Sequence, residues 1–351
     1  MPRHFTHFSD HSSGEVLSLV DSAISLKKRP PKSRPLAGKS VALCFMDPSL
    51  RTQVSFQVAA HQLGAQPIVL SLGVTTWQVE FRDGVVMDGK TTEHLKEAVP
   101  VLSRFCHALG LRSFPSGTNW DEDKKEPYLS GFIKYSTVPV VNLESATGHP
   151  CQALADLMTI RERMDPKGKK FLLTWAPHVK SLPMAVPNSA AEIAAMAGMD
   201  VTIARPEGFD LDGEVMERLR SRCREAGSRL TVTDDVPAAY DGAHVVYAKS
   251  WGSIGNYGQP LPTDAGWRAR WMVTAAKMKR TERALFMHCL PVRRNLIVED
   301  AVLDGPWSAV VDEAENRLHT AKAVLLDLLQ GGHNDGRAHH AHARRSLHPA
   351  L

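Results

Sequence analysis

Residues 39–63 read KSVALCFMDPSLRTQVSFQVAAHQL and join two patterns in one stretch. Residues 39–46 form a short apolar run rich in β-formers, and residues 51–63 have apolar residues at helical spacing. The same alternation of strand and helix recurs along the chain. Such alternation predicts parallel sheets with helices on both faces, so the predicted fold class is α/β.

Further elements of both kinds follow at short intervals. The other predicted strands span residues 66–72, 107–111, 138–143, 170–175, 200–204, 244–248, 284–288 and 308–312. The other predicted helices span residues 14–27, 93–104, 152–163, 189–196, 213–226 and 314–329. At about 100–200 residues per domain, a chain of this length is expected to form two domains. We place them at residues 1–148 and 149–330, with the last helix packing back on the first domain.

The last segment, residues 331–351, differs in composition from the two domains. It holds five of the sixteen histidines and few residues suited to a core. A His-rich tract is able to bind metal, but a disordered, solvated tail is the preferred interpretation.

The overall composition is that of a globular protein. A net charge of +4, with 43% hydrophobic residues, gives no case for nucleic acid as a partner. No run of ~18 apolar residues is present to span a membrane, and residues 1–10 lack the apolar core of an export signal. The five cysteines are scattered with no CxxC pair, which favours reduced thiols in the cytoplasm and disfavours a structural metal site.

The loop between the first strand and its helix is the first candidate binding site. Open α/β sheets bind ligands beyond the carboxyl ends of their strands, and a helix N-terminus at that place suits phosphate. Ser49 and Thr52 add hydroxyl groups, and Arg51 adds a planar cationic fork for phosphate oxygens. The alternative is an ordinary helix cap with a surface arginine.

A second candidate site follows the strand at residues 138–143. Glu144 closes this apolar strand, where a carboxylate rarely lies without a partner. His149 and Gln152 come at the start of the next helix, where both side chains are able to face a cleft between domains. A surface position is the alternative for a lone loop histidine.

Three further residues lie beside predicted strands or helices. Cys289 follows the strand at 284–288; a nucleophilic thiolate there would need an activating base, and a buried inert thiol is the commoner case. Lys249 follows the strand at 244–248, and Arg317 is expected to open the last helix. Together with the loop at 49–52 these cations predict an anion-binding cleft.

Several well-known signatures are missing from the sequence. The chain has no G-x-G-x-x-G, Walker loop, H-E-x-x-H or G-x-S-x-G motif. A dinucleotide-dependent oxidoreductase is therefore disfavoured, although its fold class would be the same.

The chain resembles the transcarbamylases, the family of the aspartate and ornithine carbamoyltransferases. Three signatures match in order and at family-like separations: SLRT at 49–52, HPCQ at 149–152 and HCLP at 288–291. The resemblance covers about residues 15–330 and is closest to the N-acylornithine branch. Marks of that branch are WQVEF at 77–81, VMDG at 86–89, NLESAT at 142–147, TWAPH at 174–178, YAKSWG at 247–252 and DEAENR at 312–317.

The resemblance implies two Rossmann-like domains with parallel sheets and a knotted loop in the C-terminal domain. It also implies a homotrimer with active sites at the subunit interfaces. The implied reaction transfers the carbamoyl group of carbamoyl phosphate to the δ-amine of an N2-acyl-L-ornithine, a step of arginine synthesis. Attack is direct, with no covalent intermediate, metal or organic cofactor.

The site residues implied by the resemblance fall into three groups. Carbamoyl phosphate would be held by Ser49, the Leu50 backbone, Arg51, Thr52 and, from a neighbouring subunit, Trp77. The carbamoyl group would be oriented by Arg112, His149 and Gln152, with Arg317 close by. Cys289 and the Leu290 carbonyl would orient the acceptor amine, and Glu144 and Lys249 would bind its amide and α-carboxylate end.

The acyl group depends on the residue just before the E-H pair at 93–94. The resemblance implies a glutamate there in acetylornithine enzymes and a proline in succinylornithine enzymes, whereas this chain has Thr92. A glutamate would repel the distal carboxylate of a succinyl group. Thr92 is neutral and able to donate a hydrogen bond, and Lys90 adds a positive charge. The sequence therefore favours N-succinyl over N-acetyl.

Two alternatives stay open beside this interpretation. One is a carbamoyltransferase for ornithine or another amine, although KSWG at 249–252 replaces the S-M-G motif of ornithine enzymes and disfavours plain ornithine. The other is a non-catalytic relative that binds anions or assembles with other subunits.

Overall fold

Eleven strands, thirteen α-helices and one 3-10 helix (Phe8–Asp10) make up the part of the chain described by the computed structural model, residues 2–262 and 264–330. The strands are β1 (Ser40–Phe45), β2 (Gln66–Ser71), β3 (Gln78–Glu80), β4 (Thr91–His94), β5 (Ala108–Arg112), β6 (Val140–Glu144), β7 (Lys170–Trp175), β8 (Asp200–Ala204), β9 (Leu230–Thr233), β10 (Val245–Lys249) and β11 (Leu285–Met287). The helices are α1 (Ser13–Lys28), α2 (Leu50–Leu63), α3 (Leu95–Phe105), α4 (Trp120–Asp123), α5 (Pro127–Tyr135), α6 (Pro150–Arg163), α7 (Ala185–Met196), α8 (Gly213–Ala226), α9 (Val236–Tyr240), α10 (Ala265–Trp271), α11 (Ala275–Met278), α12 (Asp300–Leu303) and α13 (Val310–Gln330).

The first sheet has the strand order β2-β1-β5-β6, and all its strands are parallel. Residues 41–45 of β1 are all buried, as expected for a central parallel strand whose two faces are both covered. The N-terminal segment runs beside the edge strand β6, where Phe5 forms a parallel bridge to Val141.

The second sheet has the order β11-β10-β7-β8-β9 and is also parallel throughout. Its core includes the fully buried rings of Trp175 and Trp251. The α/β fold class with parallel sheets is thus confirmed. The knotted loop and the domain boundary near residue 149 stay predictions.

The last helix, α13, packs against α1, α2 and α6 beside the first sheet. Val324 and Leu325 of α13 share one hydrophobic core with Val20 of α1 and Leu157 of α6. This packing carries Arg317, near the middle of α13, to the loop that follows β1.

The strand predicted at residues 308–312 is wrong. Only Ser308 forms a bridge, to Phe286, and the N–H of Glu313 donates to the carbonyl of Ala309, so a helix is already under way. Helical spacing buries Val310 on the protein side and leaves Val311 in solvent. Arg317 consequently lies two turns inside α13 and does not open it.

The short elements were the ones that the pattern did not predict. Strands β3 and β4 form a separate two-stranded parallel sheet, and β4 occupies the place where the helix α3 was expected to begin. Strand β9 at the edge of the second sheet and the short helices α4, α5 and α9–α12 were also unpredicted.

No helix in residues 2–262 and 264–330 is long and apolar enough to cross a membrane. All five cysteines are buried free thiols. The tail predicted at residues 331–351 lies outside the described residues.

Candidate functional site

The predicted site residues come from the carboxyl ends of strands in both sheets. The loops after β1, β5 and β6 in the first sheet, and after β10 and β11 in the second, carry most of them. A hydrogen bond of 2.7 Å from the N–H of Phe114 to Asp47 Oδ2 ties the loop after β5 to the loop after β1. Parallel strands place these loops at one edge of each sheet, which is where open α/β sheets bind ligands.

The N-terminus of α2 begins directly after β1 and is capped by Ser49. Ser49 Oγ accepts a hydrogen bond of 3.3 Å from the N–H of Thr52. The Thr52 side chain is fully buried, and its Oγ1 accepts a hydrogen bond from the Arg317 guanidinium. The capping interpretation is confirmed, and the buried Arg317 guanidinium beside the capped helix end is compatible with the anion-binding interpretation, which stays a prediction.

Arg51 lies beside this helix end without a carboxylate partner among the described residues. Its Nε is buried and makes no hydrogen bond there. The charge of Arg51 lies close enough to Arg112 and Glu144 to interact with both. A half-buried guanidinium with unused donors is suited to an incoming anion.

Arg112 and His149 converge on one carboxylate oxygen. Arg112, at the end of β5, forms a buried ion pair with Glu144 Oε2 at the end of β6. His149 Nε2 lies 3.4 Å from the same oxygen. The backbone N–H of His149 donates to Ser189 Oγ at 2.8 Å, which fixes the start of α6 against α7.

His149 is held in its neutral form. Burial lowers the pKa of His149 well below its ordinary value, and the charges of Arg317 and Arg112, followed by Lys249 and Arg51, act in the same direction. A neutral imidazole has one N–H to donate and one nitrogen to accept. His149 is thus suited to donate a hydrogen bond to a substrate oxygen without carrying a charge.

Gln152 lies in the first turn of α6, and both N–H groups of its side-chain amide are hydrogen-bonded. Nε2 donates to Asp156 Oδ1 at 2.8 Å and to Glu313 Oε1 at 3.0 Å. Its Oε1 is buried and has no partner in the described residues. Asp156 and Glu313 were not predicted as site residues. The signal for Asp156 was its lone charge in the otherwise uncharged segment PCQALADLMTI at 150–160, which is typical of a helix buried all round.

The HCLP turn follows β11 and is joined to α13. The N–H of His288 donates to Glu313 Oε2 at 2.9 Å, and the N–H of Leu290 donates to His288 Nδ1 at 2.9 Å. Burial raises the pKa of the Cys289 thiol. Burial therefore favours the neutral thiol of Cys289, which does not suit a nucleophile.

Lys249, at the end of β10, lies near two unpredicted residues, the cation Arg293 and the imidazole His178. Arg293 Nε donates to His178 Nε2 at 3.2 Å. Burial lowers the pKa of His178, and the charges of Arg293 and Lys249 act in the same direction. Neither Lys249 nor Arg293 has a carboxylate partner within the described residues. His178 lies inside the motif TWAPH and Arg293 lies two residues after HCLP, and neither motif alone shows that these side chains meet.

Trp77, Lys90 and Thr92 lie apart from this cluster. Trp77 Nε1 donates to Glu93, and the Trp77 side chain is 59% exposed. Lys90 and Thr92 are also exposed, at and beside β4. Within one chain these three residues share no hydrogen bond or ion pair with the buried cluster in the described residues.

The geometry supports binding of an anion next to a polarised carbonyl group. Arg51, Arg112, Lys249 and Arg317 bring positive charge to one place, and donors from Arg112 and His149 point at one oxygen position. Among the described residues no group of three or more His, Cys, Asp or Glu side chains is arranged to hold a metal ion.

Comparison with family models matches the chain in two parts. Residues 3–162 match the carbamoyl-phosphate binding domain of the aspartate/ornithine carbamoyltransferases, and residues 184–328 match the Asp/Orn binding domain of the same enzymes. The chain is 43% identical to the N-acetylornithine carbamoyltransferase of Xanthomonas campestris pv. campestris, over 93% of this chain and 98% of that protein. It is 40% identical to the N-succinylornithine carbamoyltransferase of Bacteroides fragilis, over 90% and 96%.

Comparison with solved structures identifies enzymes of the same kind. An acetylornithine transcarbamylase complexed with acetylcitrulline superposes with a TM-score of 0.88 at 42% identity, covering 93% of this chain and 99% of that one. A variant of N-acetyl-L-ornithine transcarbamylase with one glutamate replaced by serine, complexed with carbamyl phosphate and N-succinyl-L-norvaline, superposes with a TM-score of 0.87 at 42% identity, with the same coverage.

Proposed function

The chain belongs to the aspartate/ornithine carbamoyltransferase family, and from this we propose that it carbamoylates the δ-amine of an N2-acyl-L-ornithine. The donor is carbamoyl phosphate, and the products are an N-acylcitrulline and phosphate. N-succinylornithine is the favoured acceptor, ahead of N-acetylornithine. The reaction takes place in the cytoplasm as a step of arginine synthesis.

One observation carries the donor half of the proposal: the convergence of Arg51, Arg317 and Thr52 at the N-terminus of α2. Two guanidinium groups and a helix N-terminus suit a doubly charged phosphate. In this arrangement Ser49, Thr52 and the Leu50 backbone donate to phosphate oxygens, and Trp77 comes from another subunit.

The carbamoyl half relies on the oxygen position between Arg112 and His149. When the amine attacks the carbamoyl carbon, negative charge develops on the carbonyl oxygen, and both donors stabilise it. The C–O bond to phosphate then breaks, and the departing phosphate takes the amine proton. No side-chain base is required. Gln152 Oε1 accepts from the carbamoyl N–H, and the Leu290 carbonyl and the Cys289 thiol orient the amine.

The acceptor half relies on the cations around Lys249. An N-acylated amino acid carries an α-carboxylate but no charged α-amine, so the positive charges of Lys249 and Arg293 match it, and neutral His178 adds none. Glu144 accepts from the amide N–H of the acyl group. An unmodified ornithine would bring a positive α-amine into the same cationic surroundings, which disfavours it.

The acyl preference is supported by Thr92 and Lys90. In one of the similar solved structures, an N-acetyl-L-ornithine transcarbamylase with one glutamate replaced by serine is complexed with N-succinyl-L-norvaline. This chain has a neutral side chain at Thr92 and a cation at Lys90, and neither repels a second carboxylate.

The direct test is product formation from carbamoyl phosphate with N-succinylornithine, N-acetylornithine and ornithine, measured side by side as ureido product and phosphate. The proposal expects the highest kcat/KM with N-succinylornithine. Preference for the acetyl substrate would keep the transferase and overturn the argument from Thr92. Activity with none of the three would contradict an N-acylornithine acceptor and favour another amine or a non-catalytic relative.

The substitution Thr92→Glu separates the two acyl substrates. A carboxylate at this position repels the succinyl carboxylate, so kcat/KM for N-succinylornithine is expected to fall about tenfold or more. The value for N-acetylornithine should stay near that of the unmodified protein. Thr92→Gln is the matched control, because glutamine has the size of glutamate but no charge. An equal loss for both substrates would show that Thr92 does not contact the acyl group.

We also propose that the protein is a homotrimer whose sites are completed across subunit interfaces. Trp77 belongs to the segment 74–87, in which Val74 and Val86 are also exposed, at 83% and 82%, and Leu50 at the start of α2 is 74% exposed. Large apolar side chains exposed along one segment are typical of a surface that another protein covers. A second copy of the chain would bury it and bring Trp77, Lys90 and Thr92 to a neighbouring cluster.

Co-expression of two defective subunits tests this arrangement. Trp77→Ala and Arg317→Ala each disable a different side of one shared site, so mixed trimers contain intact sites. Random mixing should restore about a quarter of the sites. The activity of the mixture is therefore expected to be clearly higher than the summed activities of the two variants expressed separately. Activity no higher than that sum would place Trp77 and Arg317 in separate sites.

A further inference from the structure

Two fully buried carboxyl groups lie under the proposed carbamoyl site and take no part in the mechanism above. Asp156 is one helical turn after Gln152 on α6, and Glu313 is one turn before Arg317 on α13. Neither carboxyl group has a Lys or Arg ion-pair partner in the described residues. Carboxyl groups so deeply buried are uncommon unless they are paired or hydrogen-bonded.

Their oxygens are used unequally. Glu313 accepts on both oxygens, from Gln152 Nε2 and the Tyr247 hydroxyl on Oε1, at 3.0 and 3.5 Å, and from the N–H of His288 on Oε2, at 2.9 Å. Asp156 accepts from Gln152 on Oδ1 only, and its buried Oδ2 receives no donor in the described residues.

The two groups are coupled through their protons. Burial raises the pKa values of both carboxyl groups, and the closeness of Asp156 raises that of Glu313 further. Two neighbouring carboxylates cannot both ionise at low cost, so the pair holds one proton at neutral pH. A proton on Asp156 Oδ2, the one oxygen of the pair that accepts no hydrogen bond in the described residues, leaves all the hydrogen bonds to Glu313 in place.

We propose that Asp156 and Glu313 act as an acid–carboxylate pair that positions Gln152 and the HCLP turn for carbamoyl transfer. Because both N–H groups of the Gln152 amide are used by the pair, the amide cannot flip, and Oε1 is kept as a free acceptor. Because Glu313 also holds the N–H of His288, the turn that carries Cys289 and Leu290 is fixed to the same point.

The shared proton also sets the charge of the site. With one proton, the pair contributes a single negative charge, and Glu144 contributes another. Arg51, Arg112, Lys249 and Arg317 therefore remain in excess, as binding of a phosphate dianion requires. Loss of the proton would bring a second charge under Gln152 and weaken that excess.

The test uses two isosteric variants of the full-length protein. Asp156→Asn places an NH2 group where the acid proton is, so it preserves every contact. Glu313→Gln forces an NH2 group against either Gln152 or His288, because both oxygens of Glu313 accept. We expect kcat to change less than threefold in Asp156→Asn and to fall about 10²-fold in Glu313→Gln, as a misplacement of roughly 1 Å would cause. The KM for carbamoyl phosphate should change little in either.

Infrared spectroscopy reads the proton without relying on activity. The unmodified protein should show the C=O stretch of a protonated, buried carboxylic acid at neutral pH, and Asp156→Asn should lack it. The inference depends on the proposed function only for the kinetic part. An acid band with no carbamoyl transfer would overturn the function and keep the pair. Absence of the band, an unchanged kcat in Glu313→Gln, or an equal loss in Asp156→Asn would overturn the pair.

Discussion

Arg51→Ala is expected to lower kcat/KM for carbamoyl phosphate about 10²–10³-fold, the usual effect of removing a charged donor from a reacting group. Arg51 makes no ion pair with a carboxylate among the described residues, and its Nε has no hydrogen-bond partner there. Its removal should therefore leave the thermal midpoint of unfolding nearly unchanged. The loss of activity would then reflect lost contacts with carbamoyl phosphate and not a loss of folding stability.

Two further variants define this result. Arg104→Ala removes an exposed arginine at the end of α3 and should leave both activity and stability unchanged. Arg51→Lys keeps the charge but loses the planar fork, so it should recover only part of the activity. If Arg51→Ala retained the full kcat/KM, the anion site would not lie at the N-terminus of α2.

Arg112→Met is expected to reduce kcat about 10²–10³-fold, because one of the two donors to the carbonyl oxygen is lost. Unlike Arg51, Arg112 is bound to Glu144 in the folded chain. Removing one partner of a buried ion pair typically costs about 3–5 kcal/mol of folding free energy. Urea unfolding and carbamoyl-transfer kinetics measure the two effects separately.

The double variant Arg112→Met/Glu144→Gln separates catalysis from stability. Neutralising Glu144 removes the uncompensated charge, so most of the folding free energy should return while kcat stays low. Glu144→Gln alone measures the part of the loss in kcat that comes from weaker binding of the acceptor substrate by Glu144. Recovery of kcat together with stability would mean that Arg112 acts only by balancing Glu144.

The long elements of the fold were predictable because each has a strong local pattern. Three elements have the predicted bounds: the strands at 170–175 and 200–204 and the helix at 213–226. The apolar residues that predicted them are the ones buried in the structure. Residues 308–312 failed because an apolar, β-branched run suits a buried strand and a buried helix start equally well. Only the contact of α13 with α1, α2 and α6 decides between them.

The site was predictable to the extent that its residues follow strands. Ser49, Arg112, Glu144, Lys249 and Cys289 all lie at or just after a strand end, so topology alone brings them together. Asp156 and Glu313 lie inside helices, and their meeting depends on how α6 and α13 face each other. No local pattern contains that contact, although a lone charge in an otherwise buried helix indicates it.

The contact of Glu144 with both Arg112 and His149 has a consequence for the protein before any substrate arrives. The carboxylate serves as an internal counterion, so the guanidinium and the imidazole are already held in place around one oxygen. The entropy of ordering these long side chains is thus lost during folding and not during binding. A substrate that exchanges its carbonyl oxygen for this carboxylate oxygen enters a site that is already assembled, and it releases Glu144 to turn toward the second substrate.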